Sequence, residues 1–286
     1  MITRSRLGAS CLAVAAGFAT VAVPTPTSAA TTSASCLAKP GTLASPPGAH
    51  RAVVMLDPGH SGHAISHVDP VIHLHDGDYP NVPELSEVWD VTLLVQSALT
   101  RDGYVVLRTK SRRDDSRYLA ARAAAAVKAH ADIAVSIHDD HGASASFQTV
   151  YPQFVGGYRG GGSSGPVTRF TNARTACLSL SYSTAIAQKR SRTQQHAVAI
   201  ARNNFAGRAP LAPGNLAMVQ LLAGSVPWVY NESGVHANMT LTQKRTYALG
   251  IVLGIESVIP ARVPARSTPA SSGGSSCQSP QPASSE

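Results

Sequence analysis

The feature that most restricts the fold is an alternation. Short β-branched, apolar runs, each closed by a Gly, Pro or polar residue, take turns with segments of helical periodicity. The runs are Ala52–Leu56 (AVVML), Tyr104–Thr109 (YVVLRT) and Ile133–Ile137 (IAVSI), and their composition and length predict buried strands. Between them, Leu85–Arg101 spaces Val88, Val91, Leu94, Val95, Ala98 and Leu99 at helical intervals, and Ser116–His130 is Ala-rich without a breaker. Both are expected helices. Further along, Phe147–Tyr151, Leu216–Leu222 and Pro227–Glu232 read as strands, Leu180–Asn204 as an interrupted helix, and Thr242–Val258 as the closing helix. Residues 156–165 (GGYRGGGSSG) read as a flexible surface loop. The alternation predicts an α/β fold: a single domain with a mostly parallel sheet flanked by helices on both faces. Chemistry then belongs at the loops leaving the strands' carboxyl ends.

The flanks have a different composition. Residues 1–30 carry Arg4 and Arg6 and no acidic residue, then an apolar run from Leu7 to Val23, then Ser28, Ala29 and Ala30 at a cleavage point. That is the pattern of a secretory signal peptide. The run is rich in Ala and Gly and is followed by Pro24 and Pro26, so it falls short of the roughly twenty strongly apolar residues of an anchor. Cys11 lies inside the run rather than at its end, which argues against lipidation. The reading is an exported chain, in the periplasm, cell wall or extracellular space, without stable membrane insertion. Residues 31–50 and 261–286 are Ser-, Pro-, Gly- and Ala-rich and are expected to be a flexible N-terminal segment and a disordered tail. The folded part is then 51–260, about 210 residues, a normal size for one domain. Neither flank has the apolar content to pack, so a chain trimmed to 45–262 is expected to keep its fold and activity. No internal repeat or appended binding module is evident.

Losing Arg4 and Arg6 with the signal peptide takes the formal net charge from +8 to +6, which suits anionic or solvated polymers. Export argues against nucleic acid, and so does the lack of a Lys/Arg block interleaved with aromatics, which are only 5% of the chain. The mature part keeps Cys36, Cys177 and Cys277. They are too far apart for a thiolate metal site, and three cysteines allow at most one internal disulfide.

Two histidines stand at strand carboxyl ends. Asp57-Pro58-Gly59-His60 follows the first strand directly, and its tight turn exposes the His60 imidazole; His138 closes another strand in Ser136-Ile137-His138. Zinc takes neutral imidazole readily, and a catalytic site needs a third protein ligand and one position left for water. A carboxylate near a helix start would serve, and Glu84 and Glu87 both qualify. Each also has an ordinary explanation as a first-turn carboxylate facing the helix dipole. Glu232, ending the last strand, is placed for general acid/base work. Glycoside cleavage would call for a facing carboxylate pair, which leaves the histidines unexplained.

In this combination the chain resembles the zinc-dependent N-acetylmuramoyl-L-alanine amidases of the third amidase type, over most of 52–259. The quoted pieces are Leu56-Asp57-Pro58-Gly59-His60; Glu84, nineteen residues before Gly103 in Gly103-Tyr104-Val105-Val106-Leu107-Arg108-Thr109; Arg122 leading into Ala131-Asp132-Ile133-Ala134-Val135-Ser136-Ile137-His138; and Glu232 followed by Asn238. The resemblance implies zinc held by His60, Glu84 and His138, with Glu232 as the catalytic acid/base. It further implies action on peptidoglycan or muropeptide fragments, cleaving the amide between N-acetylmuramic acid and L-alanine of the stem peptide with zinc-activated water, and the chain is expected to be a monomer. Pro83, favoured in a helix's first turn, supports Glu84 over Glu87. The rival readings are a zinc peptidase cutting within the stem peptide and a catalytically idle peptidoglycan-binding protein. Asp139, Asp140 and His141 depart from the family's usual residues after the second histidine, and His63, His67, His73, His75 and His141 read as exposed loop histidines.

Overall fold

The computed structural model describes residues 49–63, 82–139, 148–153, 156–159, 167–200, 224–234 and 238–263. In chain order these form β1 (His50–Arg51), β2 (Val53–Pro58), α1 (Val82–Arg101), β3 (Val105–Arg108), α2 (Leu119–Lys128), β4 (Ile133–Asp139) and β5 (Gln148–Pro152). There follow β6 (Gly156–Arg159), β7 (Val167–Thr171), α3 (Ala173–Gln194), β8 (Ala199–Ile200), β9 (Trp228–Ser233), α4 (Leu241–Glu256) and β10 (Arg262–Val263). Six strands make one sheet in the order β3-β2-β4-β9-β5-β8. Every pair in it is parallel except β5 against β9. The mostly parallel α/β sheet expected from the alternation is thus observed.

β4 lies between β2 and β9, and all seven of its residues are buried. Alternation sends its side chains two ways. Ile133, Val135 and Ile137 join Val54, Leu56 and Val229 in a core with Val88, Val91, Val95 and Leu99 of α1, Tyr182 and Ile186 of α3, and Tyr247, Ile251 and Ile255 of α4. Ala134 faces the other way, with Met55 and Trp228, onto Leu119, Ala120, Ala123 and Ala126 of α2. Three helices therefore cover one face and α2 the other. The valine and leucine stripe of α1 stabilises it through this packing more than through helix propensity, since Val is a modest helix former.

Several boundaries differ from expectation. The helix expected over 180–204 begins at Ala173, where the Asn172 side chain accepts the Thr175 amide at 2.8 Å, and it ends at Gln194 with Gln195 left-handed at φ 53°. Residues 199 and 200 form β8 instead, while 201–204 and the strand expected over 216–222 lie outside the described residues. The loop expected at 156–165 opens with β6, paired antiparallel to β7. Tyr104 stands just outside β3, its hydroxyl donating to the Ile259 carbonyl at 2.5 Å. Ordered structure also passes both expected domain boundaries: β1 pairs with β10, His50 opposite Val263, and the Ala52 amide donates to the Ala261 carbonyl at 2.8 Å. Cys177 on α3 is disulfide-bonded.

Candidate metal centre

The site is assembled where β2, β4 and β9 end. The turn after β2 is held first by its own backbone, the Gly59 amide donating to the Ile137 carbonyl at 2.9 Å. A Cβ on Gly59 would stand 2.3 Å from the His138 ring, so only glycine lets the turn lie against that imidazole. His60 follows in the left-handed region, φ 59°, a conformation that the surroundings must enforce in a residue with a Cβ.

Two buried cations enforce it. Lys110 Nζ donates to the Gly59 carbonyl at 3.0 Å and to the His60 carbonyl as well. Arg122 Nη2 donates to the His60 carbonyl at 2.7 Å, with Nη1 3.6 Å from Asp57 Oδ1. Asp57 also accepts from Thr109 Oγ1 at 2.7 Å and Ser136 Oγ at 2.8 Å, and Ser136 Oγ accepts from the Trp228 indole at 2.8 Å. The turn is thus fixed from β3, α2, β4 and β9 together. Sequence reasoning quoted Arg122 only as part of a pattern and missed Lys110. The signal available for Lys110 was a charged residue directly following a buried strand at the chemically active edge.

His60, Glu84 and His138 converge. Glu84 Oε2 lies 2.8 Å from His60 Nε2, and Glu84 Oε1 lies 3.2 Å from His138 Nδ1. The Asp139 amide donates to Glu84 Oε1 at 2.9 Å. All three side chains are buried, and one donor atom from each lies within 4.8 Å of the others. His138 stacks on Tyr230 with ring centroids 4.5 Å apart and meets His60 edge-on at 5.1 Å. Burial pushes the Glu84 carboxyl upward, but the hydrogen bonds and charges of His138 and His60 outweigh it and bring the pKa down to about 2. An ionised carboxylate bridging two imidazoles is a ready divalent-cation site, because the ring nitrogens facing it are the ones a cation would draw.

Glu87 does something else. Its Oε1 accepts the Met239 amide at 2.6 Å, and its carboxyl is close enough to the buried Asp139 to shift that group's ionisation. Burial, then the neighbouring Glu87 carboxyl and the charges of Glu84 and Glu232, push Asp139 up to about 10. The expectation that Glu87 is an ordinary first-turn carboxylate is therefore corrected: it joins α1, the end of β4 and the segment before α4. Asp140 lies outside the described residues, as do His67, His73, His75 and His141. His63 is exposed, its backbone paired with Ser116 Oγ.

Glu232 pairs in register with His138 across β4 and β9, which puts the two side chains on the same face. Its Oε1 accepts the Tyr230 hydroxyl at 2.8 Å. Burial, with Glu232 and Glu84 nearby, raises the Tyr230 pKa well above the ordinary phenol value, so the hydroxyl remains a donor.

Fold and site together define an α/β protein with a buried two-histidine, one-glutamate cluster and a further glutamate beside it at the sheet's carboxyl edge. The family Amidase_3, described as N-acetylmuramoyl-L-alanine amidase, matches residues 54–246. No curated protein sequence matches the chain. Among solved structures, the N-acetylmuramyl-L-alanine amidase Ami1 of Mycobacterium smegmatis is similar at 22% identity and a TM-score of 0.50, over 71% of this chain and 94% of that one. Ami1 of Mycobacterium abscessus gives 19%, 0.49, 71% and 96% for the same quantities. The catalytic domain of CwlV, an amidase of Bacillus (Paenibacillus) polymyxa var. colistinus, gives 18%, 0.47, 72% and 96%. The chain belongs to the N-acetylmuramoyl-L-alanine amidase family Amidase_3. It is a peptidoglycan amidase, hydrolysing the amide between N-acetylmuramic acid and the L-alanine of the stem peptide.

Proposed function

We propose that this amidase works with one zinc ion held by His60, Glu84 and His138, and that Glu232 is its catalytic acid/base. The observation that carries the reading is the convergence of three buried donors within 4.8 Å, with Glu232 in register beside His138. Two imidazoles and one carboxylate are the donor set of a catalytic zinc site with a position left open for water. Bound there, zinc supplies a Lewis acid for the scissile carbonyl and lowers the pKa of a water molecule.

The chain's own residues do the rest. Glu232 takes a proton from the attacking water and delivers it to the departing alanine nitrogen, which would otherwise leave as a poor amide anion. Tyr230 fixes one Glu232 oxygen by its hydrogen bond and supports the His138 ring from below. Lys110 and Arg122 donate to the carbonyls of the turn and hold it, so that His60 keeps its left-handed backbone as the reaction proceeds. The action is extracytoplasmic, and the leader-like residues 1–30 support export by cleavage of a signal peptide, leaving a monomeric catalytic domain over about 51–260. No helix among the described residues is long and apolar enough to cross a membrane.

The test is metal analysis of the purified chain combined with mass spectrometry of digested peptidoglycan. The expected products are stem peptides with a free alanine amine and intact glycan strands. Glu232→Gln should keep its zinc and lose nearly all turnover, because an amide hydrogen-bonds but does not shuttle protons. Turnover near the parent rate would remove Glu232 from the role.

A further inference from the structure

α3 sends one fully buried cation to the end of β9, on the sheet face opposite the Glu232 side chain, and the chemistry above does not use it. A buried guanidinium is costly unless its donors are all engaged. Those of Arg190 are spent almost wholly on the residues around Glu232. Nη2 donates to the Glu232 carbonyl at 2.9 Å and to Gln148 Oε1 at 2.5 Å. Nη1 donates to Asn231 Oδ1 and to the Thr149 carbonyl, both at 3.2 Å, and Thr149 is the antiparallel partner of Glu232. Gln148 continues the chain of contacts, its Nε2 reaching Ser233 Oγ at 3.4 Å. One side chain therefore grips Glu232 by its own carbonyl and by Asn231 directly, and reaches Ser233 through Gln148.

The grip is itself supported. The guanidinium lies over the Tyr247 ring, 4.4 Å from its centroid, and the Tyr247 hydroxyl donates to the His138 carbonyl at 3.1 Å. Opposite, a Cβ on Gly250 would stand 2.7 Å from Arg190 Cα and 2.8 Å from Cγ, so α4 leaves room for this residue only through a glycine. If the sole need were to pack α3 on α4, an apolar side chain of similar volume would serve as well or better.

We infer that Arg190 is a positioning residue for Glu232, fixing the end of β9, and that Tyr247 ties that grip to the strand carrying His138. This rests on the acid/base role proposed for Glu232. A proton-transfer group is sensitive to its placement, so a positioning defect acts on the chemical step. The signature is thus a fall in kcat without a change in KM.

The experiment uses the zinc-loaded full chain and four forms: parent, Glu232→Gln, Arg190→Lys and Gln148→Leu. Arg190→Lys keeps the charge but loses the planar fork. It should lower kcat by about 10- to 100-fold with KM and zinc content at parent values, the range a misplacement of about 1 Å produces. Gln148→Leu removes one acceptor of Arg190 Nη2 together with the link to Ser233 but leaves the contacts of Arg190 to Glu232, Asn231 and Thr149, so a smaller kcat loss at unchanged KM is expected; it decides the matter alone if Arg190→Lys does not fold. Parental kcat in the folded variants, with only a lowered melting temperature, would make Arg190 merely structural and overturn the inference. So would a kcat loss that follows loss of zinc or comes with a raised KM. Glu232→Gln separates the two levels. If it is inactive while Arg190→Lys and Gln148→Leu turn over like the parent, only the inference falls; if it turns over like the parent, the role of Glu232 falls and the inference with it.

Discussion

Glu84 and Glu87 sit one turn apart on α1 and face different partners, which makes them a sensitive pair to compare. Glu84→Ala removes the carboxylate between the two imidazoles, so zinc content and activity should fall together in equilibrium dialysis and metal analysis. Glu87→Ala strands the Met239 amide. It should cost about 1–3 kcal/mol in urea denaturation, the range for buried groups left unsatisfied, rather than the smaller loss expected of a first-turn charge. The same residues set a pH dependence for the metal-free protein. Glu84 is lowered to about 2 from an ordinary 4.5, so its contribution is present above about pH 4.5 and is lost as pH falls toward 2. Asp139 is raised to about 10 from 3.8, so its contribution is fullest below pH 3.8 and declines as pH rises toward 10. Asp139→Asn, which mimics the protonated form, should flatten the upper slope in a pH series of denaturation curves while leaving the acid limb. An unchanged upper slope would show that Asp139 is not the group responsible.

At the scale of elements, what was legible followed the apolar pattern. β2, β4, β9, α1 and α4 announce themselves because their buried faces are Val, Ile, Leu, Trp and Tyr. α3 does not, because the face it buries includes Thr175, Ser179, Ser181, Ser183 and Arg190, which carry no hydrophobic period. Its true start depends on the Asn172 cap, which a hydrophobic pattern does not register. The site divides along the same line. His60, His138 and Glu232 were readable as side chains closing apolar strands, and Glu84 as a carboxylate beside a first-turn proline. Lys110 and Arg190 act on backbone carbonyls far away in sequence, and no spacing encodes that. Lys110→Met keeps the stem but abandons the Gly59 and His60 carbonyls, so it should weaken zinc binding by about 10- to 100-fold, as loss of a supporting contact around a metal site does. Competition against a chelator measures it, and parental affinity would mean that Arg122 alone suffices.

For the whole molecule, the disulfide at Cys177 changes the outlook for trimming. A chain cut to 45–262 lacks Cys11, Cys36 and Cys277, hence any partner for Cys177, and it also lacks Val263 of the β1–β10 pair. Every other cysteine of the sequence lies 100 or more residues from Cys177, and for a loop of that length the chain-entropy picture gives up to about 5 kcal/mol. The trimmed chain should therefore melt well below the oxidised full chain, and reductant should bring the full chain most of the way down to it. A gap that survives reduction would assign the loss to the removed residues themselves. The earlier expectation that trimming is harmless rested on the flanks' lack of apolar residues, and a covalent link needs none.

The pairing of His50 with Val263 has a topological consequence as well. The two ends of the described region meet at adjacent positions on one short ladder, so that region behaves as a closed circuit with a single point of entry and exit. Such a body can be spliced into the surface turn of a host protein without prying either partner apart, and the order in which its strands are read can be rotated by joining those ends and opening a turn elsewhere.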